Sequence, residues 1–491
     1  MHSRGRFCAT SIGLAGALLA GGALAQSPPD AKPTISVGDF QLSPLLELRT
    51  RGEYRHAPVD IGGSSRGKTL PVVDDAWGFS ERSRLGIGAE HGALRAQITF
   101  QDARAWGQQP PFGFISGGSG FAAFGAYETF FEIRTAPVSA TDPTPADRPN
   151  PPRRTYFRVG RQAVTWGDGR VLGNADWSPS ARTLDAARLH ISTSRLDVEL
   201  IAAILDSSRP LGAAFDDVNG PNSSGSQLYG AYFGWTIAPL FKLEAFGLAR
   251  LQGSNPYVVD SDFALARASG ETYTGALRAW GDSKVFEYSL AGYLQGGRAS
   301  SLVRTLPDGT ATSTRVAYAF AADVAGTSDA IVLSPKLGAG ASMASGDDGT
   351  GNYRAFDPLL PDVHQHYGAM NVFALSNLIE VHGSLVLSPS QETRVGAEYR
   401  YAQMLEKKGD WLNGYLFSVG RAPSDNKRSD LGHEIDVFFK WRPISQVDLR
   451  AGYSLLLLGD GAKAILQRPA QAQGTADFSH YAYLNATVRI P

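Results

Sequence analysis

Cysteine is almost absent from this chain of 491 residues. Its one cysteine, Cys8, lies in an N-terminal segment that we expect to be removed on export. A mature chain without cysteine can form neither disulfide bonds nor thiolate metal sites, although exported proteins often depend on disulfides.

Long apolar runs and a charge excess of one sign are also missing. Beyond residue 25 no segment approaches the roughly 18 consecutive apolar residues of a membrane-spanning helix. The chain carries 46 basic and 47 acidic side chains, a formal net charge of −1. This balance argues against a nucleic-acid-binding protein with a basic face.

The N-terminus has the three parts of a secretory signal peptide. Arg4 and Arg6 precede a run of apolar and small residues from Thr10 to Leu24, and the segment ends in Ala23-Leu24-Ala25. We therefore predict a signal peptide over residues 1–25 and a mature chain over 26–491. A membrane anchor helix is the alternative, but the apolar run is short and rich in Gly and Ala.

Alternation of charged and apolar side chains is the strongest structural signal. From Leu46 to Arg55 the odd positions are all charged and the even positions are mostly apolar. Because a β-strand sends alternate side chains to opposite faces, this run predicts a strand with one ionic face. The same alternation recurs in residues 82–90, 94–101, 196–204, 242–251, 393–402 and 432–442.

One such run fits a half-solvated strand of a soluble sandwich, but repetition along an exported chain favours a closed transmembrane barrel. Trp235, Tyr399, Tyr401 and Trp441 fall on the apolar faces and suit interfacial girdles. We predict an all-β, closed antiparallel β-barrel in the Gram-negative outer membrane, facing lipid. Eighteen candidate strands lie near 45–55, 79–90, 93–101, 125–134, 155–162, 183–191, 195–205, 227–237, 240–251, 271–281, 285–295, 314–324, 330–344, 375–388, 391–405, 431–442, 446–458 and 480–490.

Short periplasmic turns should alternate with long outer loops. Short connections are predicted at residues 90–93, 192–194, 238–239, 281–284, 388–390 and 443–445. The long class contains the Pro-rich segment 136–153 and residues 345–374, among others. The stretch from Phe157 to His190 stands out because two strand-like runs flank a long Gly-, Trp- and Asp-rich connection. Such a loop would fold across the barrel opening and bring guanidinium groups into it.

Several motifs resemble the alginate export family of outer-membrane barrels. They are QDARAWG at 101–107, VGRQAVTWGDGRVLGNADW at 159–177, TLDAARL at 183–189 and ASGDDGTGNYRAFDPLLPDVHQHYG at 344–368. The resemblance implies a monomeric eighteen-stranded porin whose loops occlude an arginine-rich pore. It further implies an anionic uronate polymer as the solute, supplied by periplasmic export-complex proteins.

The resemblance and the alternation together select a set of pore-lining arginines. A guanidinium group offers fixed, bidentate donors to a carboxylate and keeps its charge. The alternative role of each arginine is to brace the barrel wall, because acidic side chains are available nearby for ion pairs. The predicted set is Arg49, Arg51, Arg82, Arg84, Arg95, Arg158, Arg161, Arg170 and Arg188.

Other functions remain open at this point. The lumen charges are mixed, so another anionic or neutral metabolite is an alternative solute. His364 and His366, with nearby aspartates, suit a metal in principle, and His382 with Ser384 would be the pair of an outer-membrane lipase. The inward arginines argue against a hydrophobic-solute transporter. We expect a channel without catalytic activity, cofactor or metal.

Overall fold

The computed structural model describes residues 34–56, 75–107, 122–135, 155–205, 226–252, 270–300, 312–416, 418–422, 425–466 and 477–490. The predicted signal peptide lies outside these residues. The strands are β1 Ile35–Val37, β2 Phe40–His56, β3 Asp75–His91, β4 Leu94–Gly107, β5 Ala122–Arg134, β6 Tyr156–Gln162, β7 Leu184–Ser192, β8 Leu196–Ile204, β9 Gln227–Ala238, β10 Phe241–Gln252, β11 Gly270–Asp282, β12 Phe286–Ser300, β13 Thr312–Thr327, β14 Lys336–Ala344, β15 Leu378–Leu387, β16 Thr393–Gln403, β17 Asp410–Leu412, β18 Ser418–Arg421, β19 Asp430–Ile444, β20 Val447–Leu458 and β21 Phe478–Ile490.

Helical structure is sparse. Among the described residues, one α-helix, α1, spans Asp460–Leu466, and a 3-10 turn spans Val363–Gln365. Within the described residues, no helix has the length and apolar character needed to cross a membrane.

Eighteen strands close into one antiparallel barrel. Each of β2 to β15 pairs with the next strand, β16 pairs with β19, β19 with β20, β20 with β21, and β21 returns to pair with β2. The short strand β1 pairs with the start of β2, and β17 pairs with β18 as a separate hairpin. Every predicted strand therefore has its counterpart, which confirms the predicted fold class.

The two faces of the wall follow the alternation seen in the sequence. On β2, Arg49 and Arg51 are buried inside the barrel, whereas Leu48 and Tyr54 are each 43% exposed on the outer face. Trp235, Tyr399 and Trp441 also lie exposed on the outer face. An outer face of this kind contacts lipid, and a lumen of this width takes the charged side chains.

The strand ends divide the connections into two classes. All six predicted short turns join neighbouring strands at one end of the barrel. β5 ends and β6 begins at that same end, so the Pro-rich segment 136–153, which itself lies outside the described residues, joins these strands on the short-turn side. Its inclusion among the long outer loops was wrong, because length alone does not tell at which end a connection lies.

Two connections from the opposite end fold into the barrel. We call residues 163–183 the first inward loop and residues 345–377 the second inward loop. Backbone hydrogen bonds join them: Gly173 donates to Leu360 at 2.8 Å, Leu360 donates to Val171 at 3.0 Å, and Asp362 donates to Gly169 at 2.9 Å. Apolar side chains of both loops pack into one core inside the barrel wall.

One glycine on the outer face marks a close approach between a turn and a strand. A Cβ atom at Gly281 on β11 would lie 2.0 Å from the carbonyl oxygen of Leu240, in the turn between β9 and β10. The hydroxyl of Tyr288 donates to the same oxygen at 2.9 Å. The turn can therefore pack on β11 only where the strand has no side chain.

We predict that Gly281→Ala lowers the free energy of unfolding by about 1–3 kcal/mol, because the added methyl group displaces the turn. Urea unfolding of the barrel in lipid vesicles measures this. Gly275→Ala on the same strand is the matched control, since no atom lies within 4 Å of its added Cβ. Equal stability of the two variants would contradict the prediction.

Candidate functional site

Four of the predicted arginines form one group on the lumen face of β2 and β3. Arg49 and Arg51 lie two residues apart on β2, and Arg82 and Arg84 lie two apart on β3, so alternation places each pair on a single face. The strand register sets Arg49 directly opposite Arg82. Glu47 accepts a hydrogen bond from Arg82 at 2.9 Å, and all five side chains are buried.

This arginine group binds the backbone of the first inward loop. Arg49 donates to the carbonyl oxygen of Asp176 at 2.6 Å and to that of Ser178 at 2.9 Å. Arg51 donates to the carbonyl oxygen of Trp177 at 2.8 Å, and its guanidinium carbon lies 4.2 Å from the centre of the Trp177 ring. Three successive carbonyl oxygens are thus held by two arginines.

The carboxylate of Asp176 is held by the other two arginines. Its Oδ1 lies 3.0 Å from Arg82 and 3.2 Å from Arg84. Desolvation inside the barrel would raise the pKa of Asp176, but Arg82 and Arg84 outweigh this effect and hold the pKa below its usual value. The site therefore binds a carboxylate flanked by carbonyl oxygens.

Arg170 lies at the centre of a second buried group that fixes the same loop to β13. It contacts Asp168 at 2.5 Å and Asp323 at 3.0 Å, and it donates to the Tyr367 hydroxyl at 3.1 Å. Only 2% of its side chain is exposed. A buried guanidinium with two carboxylates holds the inward loop against the wall.

Three further predicted arginines lie on the lumen wall in ion pairs. Arg188 contacts Glu199 at 2.5 Å, Arg158 donates to Glu132 at 2.7 Å, and Arg95 lies 3.3 Å from Glu90. Arg95 and Arg158 are 22% and 15% exposed, whereas Arg51 and Arg82 are covered by the inward loop.

Arg161 lies outside the lumen, contrary to its predicted position. The register of β6 places it on the same face as Phe157 and Val159, which are both 47% exposed to the outside. It pairs there with Asp185 of β7 at 2.5 Å. The sequence argument was wrong because a motif match gives no side-chain direction, and strand parity at this position points outward.

The two histidines of the second inward loop take structural positions. The ring of His364 stacks on Trp177 with centroids 4.0 Å apart. His366 Nε2 lies 2.8 Å from the carbonyl oxygen of Asp168, and burial lowers its pKa to about 4, with Arg170 adding to the effect. Among the described residues, no three His, Cys, Asp or Glu side chains are grouped so as to hold a metal.

The residues weighed for a lipase face the lumen. His382 is buried between Glu380, with which it hydrogen-bonds, and Asp323 at 3.4 Å. Ser384 shares the inward parity of Glu380 and His382 on β15. A pair that faces away from lipid gives no support to lipid hydrolysis.

Three charged side chains that clamp the second inward loop were not among the predicted site residues. Arg55 donates to the carbonyl oxygen of Met370 at 3.1 Å, and Glu434 accepts from the Met370 backbone N–H at 3.0 Å. Asp436 accepts from the backbone N–H of Ala369 at 3.3 Å. Alternation places these side chains inward, but no local pattern shows which loop they meet.

We predict that Arg170→Ala raises the mean single-channel conductance, because Asp168 and Asp323 would remain buried without their shared cation. Breaking a buried pair in this way costs about 3–5 kcal/mol, which favours release of the first inward loop. Arg298→Ala is the control, since this arginine pairs with Glu271 at 2.7 Å but is 62% exposed. Unchanged conductance in Arg170→Ala would show that the group does not hold the loop.

A second prediction concerns Asp362, whose carboxylate accepts a hydrogen bond from Gln365 at 2.6 Å. Burial raises its pKa to about 7, although Arg182 opposes this. A raised pKa means that its stabilisation of the folded loop is complete at low pH and is lost as pH rises through about 7. The channel should therefore be open more often at pH 8 than at pH 5, as single-channel recordings would show. Asp362→Asn should remove this difference between pH 8 and pH 5. A wild-type channel that is open equally often at both pH values would refute the prediction.

Comparison with known proteins gives a family and a fold. The family described as alginate export matches residues 40–473. Acinetobacter baumannii OccAB1 is similar in structure at a TM-score of 0.55 and 11% identity, covering 94% of this chain and all of that one. Pseudomonas aeruginosa OpdL has a TM-score of 0.53 at 11% identity, with 92% and 99% covered. No curated protein sequence matches the chain.

Proposed function

The chain belongs to the alginate export family of outer-membrane channels, and we propose that its solute is an anionic saccharide that diffuses passively through an arginine-lined lumen. The observation that carries this proposal is the binding of Asp176 by Arg82 and Arg84 at 3.0 and 3.2 Å. A uronate residue presents the same carboxylate, with hydroxyl and ring oxygens beside it. The guanidinium groups of β2 and β3 are therefore suited to such a ligand.

A solute can pass through the lumen only after the inward loops move. Arg49, Arg51 and Arg82 are covered by residues 176–178, so a solute reaches them only after the first inward loop moves. Arg95 and Arg158 are partly exposed on the lumen wall without such movement. Several contacts of moderate strength in series allow a charged solute to leave as well as enter.

A channel for small anionic or neutral metabolites is the second candidate. Ion pairs on the lumen wall favour this second candidate, because Arg158 and Arg188 each face a glutamate at close distance. A wall whose charges are balanced selects less strongly for anions.

Diffusion involves no chemical step, and we accordingly propose no enzymatic activity. The proposal includes a monomeric barrel that receives its solute from periplasmic export proteins.

Ion selectivity of the refolded mature chain in a planar bilayer tests the proposal. We expect a preference for anions, and a decrease of the anion-to-cation permeability ratio by roughly twofold in Arg84→Gln and in Arg158→Gln, because each removes a lumen cation. Arg161→Gln is the matched control, since it removes a charge from the outer face of the same wall. A channel without anion preference would overturn the anionic solute and favour the second candidate.

A further inference from the structure

Two histidines lie side by side on the outer face of the barrel, at the end opposite the short turns. His56 is the last residue of β2 and His480 lies near the start of β21. The strand register sets the two residues directly opposite each other. Both share the outward parity of their strands with Leu48 and Leu484, which are exposed on the same face. We call His56 and His480 the histidine pair.

Each ring of the histidine pair is held by the strand on its far side. His56 Nδ1 lies 2.6 Å from Oδ1 of Asp75 on β3, and His480 Nδ1 hydrogen-bonds with the hydroxyl group of Tyr453 on β20. The order of these strands around the wall is β3, β2, β21, β20. Because Nδ1 and Nε2 point away from each other on an imidazole ring, contacts of Nδ1 on both flanks turn the two Nε2 atoms toward one another.

These contacts also decide which nitrogen of each ring carries the proton. An ionised carboxylate only accepts hydrogen bonds, so Asp75 binds the tautomer of His56 that is protonated on Nδ1. The hydroxyl group of Tyr453 accepts from Nδ1 of His480 in the same way. In both rings Nε2 then keeps its electron pair, as a metal ligand must. A histidine that binds a metal almost always has such an acceptor at its other nitrogen, and a carboxylate is common there.

The spacing of the two rings fits one ion between them. Zinc lies about 2.0–2.1 Å from a histidine nitrogen, in the plane of the ring, so two rings on one tetrahedral ion have centroids roughly 5–6 Å apart. The centroids of the histidine pair are 5.6 Å apart. Imidazole suits zinc, copper and nickel ions. Since no group of three ligand side chains is found among the described residues, water would take the other positions of the ion.

The histidine pair lies where an ion from outside can reach it. Tyr54, Trp77 and Phe478 are exposed at the same end of the outer face, and aromatic side chains of this kind mark the boundary between lipid and water. The side chain of His56 is itself 34% exposed. An ion therefore reaches the pair without entering the lumen.

A third histidine on the outer face shows what packing alone looks like. His433 of β19 has its Nδ1 2.8 Å from the Tyr399 hydroxyl group, and its ring packs against Tyr399 and Tyr401. The register sets His433 between Tyr401 and Leu457, so no histidine lies opposite it. The histidine pair differs because two rings face each other across the junction of two strands.

We infer that the histidine pair binds one zinc ion, or a divalent ion with the same preference for imidazole, across the junction of β2 and β21. These are the first and last strands of the closed wall, and no turn connects them. A metal that binds only the folded state adds to its stability. The ion therefore stabilises the closure of the barrel, whichever solute the lumen carries.

Isothermal titration calorimetry with zinc chloride tests the site on the refolded mature chain in detergent, without an affinity tag. We expect one bound ion per barrel. His56→Gln and His480→Gln should each weaken binding by about tenfold or more, since loss of a ligand costs at least as much as loss of its outer partner. Asp75→Asn should weaken it by about tenfold, because it removes that partner. His433→Gln is the matched control and should bind zinc as the wild type does.

Two further measurements use the same variants. Zinc should raise the temperature at which the folded band is lost on gels for the wild type and His433→Gln, but not for His56→Gln or His480→Gln. The folded band without zinc shows that each variant remains a barrel. Electron paramagnetic resonance with one equivalent of copper(II) should show coupling to two imidazole nitrogens.

Equal zinc affinity in the wild type, His480→Gln and His433→Gln would overturn the site. A wild type that binds no zinc at millimolar concentration would do the same. Copper coupled to a single imidazole nitrogen would refute the sharing of one ion by two strands.

Discussion

Hydrogen bonding between the β2–β3 arginines and the first inward loop is the interaction on which the barrel interior depends. A loop that crosses a wide lumen has backbone carbonyl groups that no strand satisfies, and a buried polar group without a partner is costly. Arg49 and Arg51 supply donors to three such carbonyl groups in succession. Without these donors the carbonyl groups would be unsatisfied, the loop would no longer be held inside the barrel, and the lumen would be wider.

The second inward loop depends on the first. Backbone hydrogen bonds between the two loops, with the stacking of His364 on Trp177, make them one unit. Arg55 and Glu434 then hold the far side of this unit at the peptide group of Met370. Arginines on the wall thus have two roles. The guanidinium group that is suited to bind an anionic solute also binds a carbonyl oxygen or the Asp176 carboxylate of the loop. Under the proposed function, release of the inward loops would free the same arginines that bind the solute.

Charge is not evenly distributed along the lumen. Arg442, Arg450 and Arg489 lie at the short-turn end of β19 to β21, whereas Glu434 and Asp436 lie further along β19. Elsewhere at that end, Lys242 and Lys336 each pair with one carboxylate. The electrostatic potential therefore varies along the lumen instead of being uniformly positive.

The sequence by itself determined the barrel: all eighteen wall strands and the lumen face of Arg49, Arg82 and Arg84 follow from an alternation with a period of two residues. It also showed that the stretch from Phe157 to His190 is unusual. Only the tertiary structure decided that Arg170 is buried between Asp168 and Asp323, and that Asp176 occupies the arginine group. The physical reason is that strand parity is local, whereas Arg82 and Arg170 meet carboxylates 94 and 153 residues away in the chain.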